Sequence, residues 1–244
     1  MTSARRLGWA GACVAFALGS GPAAAQSSQS WTWCLNKKRL FPMDMAIRGC
    51  SAVIQSGTET QQNLALAFTS RGIAFYEKRD YDRAIADFTQ AVTLDPNDAD
   101  AFQGRASAYS DKGDHAHAIA DYDEAIRLNS RSPIALNNRC DEQLLVGQVQ
   151  AALADCNEAL RQRPNHASTL MHRGNAHLAA GELDLAIADY NAALKLNTKD
   201  AWSLYGRGYA KSKRGDVVGG TADMETAKSI RPDIASGFAS RGIK

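Results

Sequence analysis

The sequence predicts an all-α fold in which helix–turn–helix units stack end to end as a solenoid. Three observations predict it: an arginine column with a fixed period, apolar and small residues repeated in the same register, and chain breakers between them. The arginines recur every 34 residues, at Arg71, Arg105, Arg139, Arg173, Arg207 and Arg241. Such a period is typical of repeat proteins, whose units bury their apolar faces only against neighbours. The extended surface left exposed favours binding over catalysis.

The first helix of each unit is indicated by an apolar residue that lies four positions before a small residue, since this spacing puts both on one helix face. The pairs are Phe68 and Gly72, Phe102 and Ala106, Leu136 and Cys140, Leu170 and Gly174, Leu204 and Gly208, and Phe238 and Gly242. A second helix is indicated by flanking alanines and by an aspartate before a bulky or sulfur side chain. These aspartates are Asp87, Asp121, Asp155, Asp189 and Asp223.

Chain breakers separate the two helices of each unit. Glycine suits the left-handed residue that ends a helix, and an aspartate can cap the start of the next one. The glycines are Gly113, Gly147, Gly181 and Gly215, with Arg79 in the corresponding place of the first unit. Several units close on a proline, which cannot continue a helix. Each unit is therefore predicted to be a helix–turn–helix.

These columns resemble those of the tetratricopeptide repeat (TPR) family, which has the same period. Five units match, at about 65–98, 99–132, 133–166, 167–200 and 201–234, within a repeat region of residues 63–234. The resemblance implies a right-handed superhelical α-solenoid. Residues 26–62 are predicted to form a degenerate N-terminal capping helix pair and loop, because terminal repeats are commonly atypical. Residues 235–244 are predicted to form a C-terminal capping helix.

The repeated arginines and aspartates have two interpretations. They could form a charged ladder that binds a ligand, or they could pair with each other between the two helices of each unit. The second interpretation explains both columns without a ligand. Such pairs would set the helix register more than the stability, since exposed pairs contribute only about 0–1 kcal/mol.

The N-terminus is typical of a secretory signal peptide. Arg5 and Arg6 precede an apolar run over residues 7–18, and small residues end at Ala25, where cleavage is predicted. A spanning helix needs about 20 apolar residues, which disfavours a membrane anchor, and too little sequence precedes Cys13 for lipid attachment there. We therefore expect a periplasmic or secreted protein of a Gram-negative bacterium, with residues 1–25 removed and no membrane anchor.

Removal of residues 1–25 takes away two arginines and no acidic residue, so the mature chain is formally neutral, with 26 basic and 26 acidic residues. It has no basic stripe to neutralise phosphates. This disfavours nucleic acid or an anionic membrane surface as the partner.

Four cysteines form two pairs with the same separation of 16 residues, Cys34 with Cys50 and Cys140 with Cys156. The resemblance to TPR proteins implies that the two columns holding Cys140 and Cys156 face each other across a helix pair. It therefore implies two disulfides within units, which suits an oxidising compartment. Buried free thiols that fill small gaps are the alternative.

The first helix of each unit lines the concave surface in the proteins that this chain resembles. Carried over to this sequence, the candidate partner-binding residues are Gln103, Asn137, Asp141, Met171, Asn175, Trp202, Tyr205 and Tyr209. No lysine or arginine lies in these columns, which disfavours the basic clamp that some TPR proteins close on a C-terminal carboxylate. The aromatic residues favour a binding hot spot, or alternatively a core beneath the C-terminal helix.

The function predicted from these features is an exported scaffold that mediates protein–protein interaction by holding a peptide segment in its concave groove. The alternative is a structural component of the cell envelope that self-associates, which makes a homo-oligomer a second expectation. An enzyme is disfavoured, and no cofactor or metal is expected. The five histidines lack metal-ligand spacing, since His172 and His177 lie on different helix faces and His115 and His117 are two residues apart.

Overall fold

A computed structural model describes residues 22–36 and 40–241 of the chain. This part of the chain contains helices and no strands. The predicted signal peptide lies outside the described residues, apart from its last four. The helices are α1 (Pro22–Leu35), α2 (Met43–Gln55), α3 (Gln61–Glu77), α4 (Tyr81–Leu94), α5 (Ala99–Asp111), α6 (His115–Leu128), α7 (Pro133–Leu145), α8 (Val149–Gln162), α9 (Ala167–Ala179), α10 (Leu183–Leu196), α11 (Ala201–Arg214), α12 (Val217–Ile230) and α13 (Ile234–Ser240).

The helices pack as successive hairpins, and each hairpin stacks on the next. The predicted fold class, an α-solenoid of helix–turn–helix repeats, is confirmed. Helices α3 to α12 form five hairpins, with α1 and α2 before them and α13 after them. Within 22–36 and 40–241, no helix is long and apolar enough to cross a bilayer.

Each turn inside a hairpin contains a residue with a positive φ, between 61° and 105°. These residues are Arg79, Gly113, Gly147, Gly181 and Gly215. The next helix is capped in three hairpins by an aspartate whose side chain accepts a hydrogen bond from a backbone N–H three residues on, as Asp80 does from Arg83. The left-handed turn and the cap together fix where the chain reverses.

The hairpins stack closely because glycines let helix backbones approach the ring that lies between them. A Cβ at Gly72 would lie 2.9 Å from the ring of Phe88, and a Cβ at Gly104 of the next unit would lie 2.5 Å from it. Gly174 and Gly206 contact Tyr190 in the same way. In these two places, glycine is therefore required by the packing of one buried ring between two first helices.

The repeated arginines pair with the repeated aspartates, as the second interpretation of these columns predicts. In every hairpin from α3 to α12, Nε and Nη2 of the arginine donate to the two carboxylate oxygens of the aspartate 16 residues later, at 2.6–2.8 Å. Nη1 donates to a side chain on the preceding second helix. From Arg105 to Arg207 this acceptor lies 16 residues before the arginine, as Asp123 does for Arg139 at 2.6 Å. We call these pairs the ladder. Each rung fixes the register of three helices.

Disulfides join both cysteine pairs in the structure. Cys34 of α1 is bonded to Cys50 of α2, and Cys140 of α7 is bonded to Cys156 of α8. All four side chains are buried. The hairpin of α1 and α2 lacks a rung of the ladder, because Trp33 and Gly49 occupy the corresponding positions, so the disulfide alone ties its helices at this point.

One helix begins earlier than expected, and the predicted end of the C-terminal helix lies outside the described residues. Helix α3 begins at Gln61 rather than after residue 62, since the Thr60 side chain caps it by accepting a hydrogen bond from the N–H of Asn63. Helix α13 ends at Ser240 within the described residues, and residues 242–244 lie outside them.

Helix α13 also packs differently from the earlier first helices. Each of those helices packs extensively against the second helix that precedes it in the chain, whereas α13 makes few contacts with α12 and more with α11. The C-terminal helix is therefore displaced from the regular stacking position toward the first helices of the solenoid.

Candidate functional site

A polar cavity of about 160 Å³ lies among the first helices of four consecutive hairpins. Its lining includes three carboxylates, those of Asp111, Asp141 and Glu142, and the residues that complete the lining are Tyr76, Ser107, Ser110, Tyr122, Asn138 and His172. Helices α3, α5, α7 and α9 supply most of these side chains, since residues that recur once per unit lie side by side when units stack. The cavity is acidic and rich in hydrogen-bond acceptors.

Hydrogen bonds between neighbouring units hold the cavity walls in place. Buried Glu142 accepts from the hydroxyl of Ser110 at 2.6 Å and contacts Nδ1 of His115 at 2.8 Å. The hydroxyl of Tyr122 lies 3.0 Å from that of Ser107 and accepts from the Asn138 amide at 3.3 Å. Burial raises the pKa of Tyr122 to about 12, so the phenol stays neutral at physiological pH.

Asp141 lies where the cavity meets the C-terminal helix. Arg241, 100 residues later in the sequence, donates to both of its carboxylate oxygens, and the longer of the two hydrogen bonds is 3.2 Å. Nε2 of His172 lies 3.6 Å from the same carboxylate. Burial by itself would raise the pKa of Asp141, but the neighbouring His172 and the guanidinium of Arg241, which also donates hydrogen bonds to the carboxylate, outweigh burial and lower it. The carboxylate is therefore ionised at neutral pH.

His172 contributes little positive charge at neutral pH. Burial lowers its pKa, and its Nδ1 lies 3.2 Å from Oδ1 of Asn137. Arg241 is therefore the cation that pairs with Asp141.

Three of the predicted site residues form an aromatic cluster on α11, and the ring of Phe238 from α13 packs against all of them. The centroid of the Phe238 ring lies 6.4 Å from that of Trp202, 5.1 Å from that of Tyr205 and 5.9 Å from that of Tyr209. Phe238 itself is buried. The aromatics thus pack against the C-terminal helix in this structure, and their role as a partner-binding surface stays a prediction.

Two predicted site residues are not on an open surface. Asn137 is 6% exposed and Asn175 is 1% exposed. Thr169 donates to the Asn137 side chain at 2.8 Å, and the hydroxyl of Tyr190 donates to that of Asn175 at 2.7 Å. These amides satisfy polar groups between stacked helices, so their assignment to a partner-contacting surface is corrected here.

The last two predicted residues have contacts within the solenoid. Met171 packs against buried residues of two apolar clusters, and its sulfur accepts a hydrogen bond from the Asn175 amide. The Gln103 side chain accepts a hydrogen bond from Ser132 of the next unit at 3.2 Å, and Gln103 is partly exposed. Gln103 remains in reach of a bound molecule, whereas Met171 belongs mainly to the packing between units.

Comparison with known proteins gives the family. A tetratricopeptide repeat profile matches residues 69–133, and a second TPR repeat profile matches residues 174–215. The chain is a tetratricopeptide repeat protein. No curated protein sequence matches it.

Solved structures similar to this TPR protein share its fold at low sequence identity. A tetratricopeptide repeat protein from Parabacteroides merdae ATCC 43184 has a TM-score of 0.69 and 17% identity, covering 89% of this chain and 88% of that one. YrrB, described as a TPR protein with an unusual peptide-binding site, has a TM-score of 0.63 and 18% identity, covering 79% and 97%. MamA has a TM-score of 0.61 and 20% identity, covering 70% and 94%.

Several residues of the TPR groove were not among the predicted site residues. Glu142 lies next to a groove column in the sequence. Its carboxylate contacts Nδ1 of His115, a residue that belongs to none of the groove columns. The contact between Arg241 and Asp141 joins units that are not neighbours in the sequence, and no periodic pattern indicates it. Within 22–36 and 40–241, no group of three or more His, Cys, Asp or Glu side chains is arranged to hold a metal ion.

Proposed function

We propose that this TPR protein is an exported scaffold that binds a peptide segment of a partner protein in its concave groove, without catalysis. The observation that carries the proposal is the polar cavity of about 160 Å³ shared by four consecutive hairpins. Its walls are held by hydrogen bonds between units, so the cavity is organised before a ligand arrives. Preorganised polar groups in a concave site favour binding because little ordering is required of them.

The chemistry of the cavity suits an extended or helical peptide with donor groups. Carboxylates of Asp111, Asp141 and Glu142 and the hydroxyls beside them accept hydrogen bonds from backbone N–H groups or from basic side chains. The similarity to YrrB supports the proposal at the level of fold only, since the sequences are 18% identical.

Export is proposed from the N-terminal sequence, and the two disulfides support it because disulfides persist in oxidising compartments. Fractionation of cells that express the full chain tests this part of the proposal. We expect the protein in the periplasm or the medium, with an N-terminus at Gln26 on Edman sequencing. An unprocessed chain retained in the cytoplasm would overturn it.

A photocrosslinking experiment tests the groove. A benzophenone amino acid is placed at Ser107, which lines the cavity, or at Leu185, which is exposed on the second helix α10. We expect ultraviolet irradiation in an envelope extract to give a discrete crosslinked protein from position 107 and none from position 185. Equal crosslinking from both positions, or none from position 107, would contradict binding in the groove.

A further inference from the structure

Arg241 occupies a position that the ladder does not explain. It belongs to the 34-residue arginine column, but its partner is not a ladder aspartate. Its guanidinium instead reaches Asp141 on α7, three units back. The side chains of both residues are about four-fifths buried, with 22% and 18% exposed.

The surroundings of this guanidinium have the composition of an arginine-recognition site. Asp141 accepts from two of its nitrogens, and Cζ lies 4.8 Å from the centroid of the Trp202 ring. This combination selects guanidinium over ammonium. The carboxylate accepts two hydrogen bonds at once, and the aromatic face stacks on the planar group. The cation–π contact adds most where water is excluded.

A second contact comes one helical turn earlier on α13. Phe238 lies three residues before Arg241, and its buried ring packs against Trp202, Tyr205 and Tyr209. Residues three apart share a helix face, so the aromatic ring and the guanidinium point into the groove together. The C-terminal helix thus lies on the first helices as a bound peptide would.

We propose that Asp141 and Trp202 form a binding site for an arginine side chain of the partner peptide, and that Arg241 fills this site when no partner is bound. This inference rests on the function proposed above and names its ligand: a segment that carries an aromatic residue and an arginine one helical turn apart. A partner must displace the end of α13, so α13 lowers the affinity of the groove for its partner.

The test uses the mature chain and a fluorescent peptide with the sequence of residues 233–241. Binding is measured by fluorescence anisotropy to the wild type and to Phe238→Ala/Arg241→Ala, in which α13 has lost both groove contacts. We expect the double variant to bind the peptide at least tenfold more tightly. Adding Asp141→Asn to the double variant, or replacing the peptide arginine by glutamine, is expected to weaken binding about tenfold.

Arg214→Ala is the matched control, because Arg214 also pairs with a carboxylate from another hairpin, Asp184, but on an exposed surface. Its affinity for the peptide is expected to equal that of the wild type. If the double variant loses its cooperative thermal unfolding, Arg241→Ala alone replaces it in the same comparison. Arg241→Lys is expected to bind the peptide more tightly than the wild type, because an ammonium group holds Asp141 less well.

Two results would overturn the inference: equal binding of the arginine and glutamine peptides to the double variant, or equal binding of the arginine peptide to the wild type and the double variant. A wild-type dimer that Asp141→Asn dissociates in sedimentation would also overturn it, by placing Arg241 in the groove of a second copy. If any of these three results is found together with crosslinking from position 107, the proposed function is kept and only the arginine site is removed. Absence of that crosslinking removes the proposed function itself.

Discussion

Arg207 and Arg241 stand one period apart, yet they belong to different kinds of contact. Arg207 donates to Asp223, 16 residues later, at 2.7 Å through both Nε and Nη2, and it sets the register of α11 and α12. Arg241 instead pairs with Asp141 across three units. Arginine in this column therefore has two roles. Arg207 maintains the scaffold, whereas Arg241 occupies the groove.

The difference follows from what each arginine can reach. Inside the array, each arginine donates to the aspartate on the second helix of its own hairpin. Helix α13 makes few contacts with α12, and the arginine that follows it donates to Asp141 of α7. Ladder contacts are local in sequence and should open only when the whole array unfolds. The Arg241 contact should open by itself, without unfolding of the array.

The third hairpin, of α7 and α8, has a disulfide in addition to its rung of the ladder. The Cys140–Cys156 bond lies beside the ion pair of Arg139 and Asp155. Cys140→Ala/Cys156→Ala is expected to lower the free energy of unfolding by about 3 kcal/mol, because the bond closes a loop of this size in the unfolded chain. Urea denaturation under non-reducing conditions measures the change.

The matched control is Cys34→Ala/Cys50→Ala, which removes a disulfide with the same sequence separation. Among the described residues, the hairpin of α1 and α2 packs against a single neighbouring hairpin, that of α3 and α4, so we expect its amides to lose exchange protection while α3 to α12 keep theirs. An equal loss of protection over the whole chain in both variants would contradict a difference between interior and terminal hairpins.

A rung of the ladder can be broken at Asp189, which accepts both hydrogen bonds from Arg173. Asp189→Ala is expected to lower the free energy of unfolding by about 2 kcal/mol, because a largely buried guanidinium loses its partner. Asp184→Ala on the same helix is the control: Asp184 pairs with Arg214 but is 81% exposed, and its loss should cost no more than about 0.5 kcal/mol. Equal denaturation midpoints for the two variants would show that the rungs add no stability.

Much of the fold follows from the sequence, because period, helix pairing and the ladder all depend on residues within one or two units. The glycine and alanine columns indicate where helices approach, and Phe88 or Tyr190 fills the space between them. The site is less predictable. Asn175 occupies a groove column by number, but a hydrogen bond from Tyr190 places it in the core, and the periodic pattern is the same in either case.

The C-terminal helix shows the limit of periodicity most clearly. Phe238 and Arg241 match the first-helix columns, so the pattern predicts one more regular helix there. The position of α13 depends on contacts with α7 and α11 that are up to 100 residues distant in sequence. Only coordinates reveal contacts of this kind, since no local rule links the two segments.

Removing the groove contact alone should have a smaller and more local effect than breaking a rung. Arg241→Ala is expected to weaken the docking of α13 by about 1 kcal/mol, which is roughly a fivefold increase in the exchange rates of its amides. Arg207→Ala, in the same column, is expected to speed exchange throughout α11 and α12. Hydrogen exchange by mass spectrometry distinguishes the two, and spread of the Arg241→Ala effect into α12 would make α13 an ordinary part of the array.

The smallest expected effect is a dependence on pH that comes in part from His172, the histidine beside Asp141. Burial lowers the pKa of His172 from its ordinary value of 6.5. As pH falls through 6.5, the unfolded chain therefore binds a proton on this ring that the folded chain does not, and the folded state loses stability. Asp141 does not contribute in this range, because its pKa is lowered from 3.8.

His172→Gln should therefore lose less stability than the wild type between pH 7 and pH 5, measured by urea denaturation at both values. Glutamine retains a donor for Asn137, which lies 3.2 Å from Nδ1 of His172. The control is His117→Gln, since His117 is exposed, pairs with Asp114 of its own turn and stacks on Tyr109. Arginine and aspartate side chains in general titrate outside this range, so the ladder contributes little to the slope. A slope that His172→Gln leaves unchanged would mean that the imidazole is not held neutral beside Asp141, and the carboxylate would then have two cations rather than Arg241 alone.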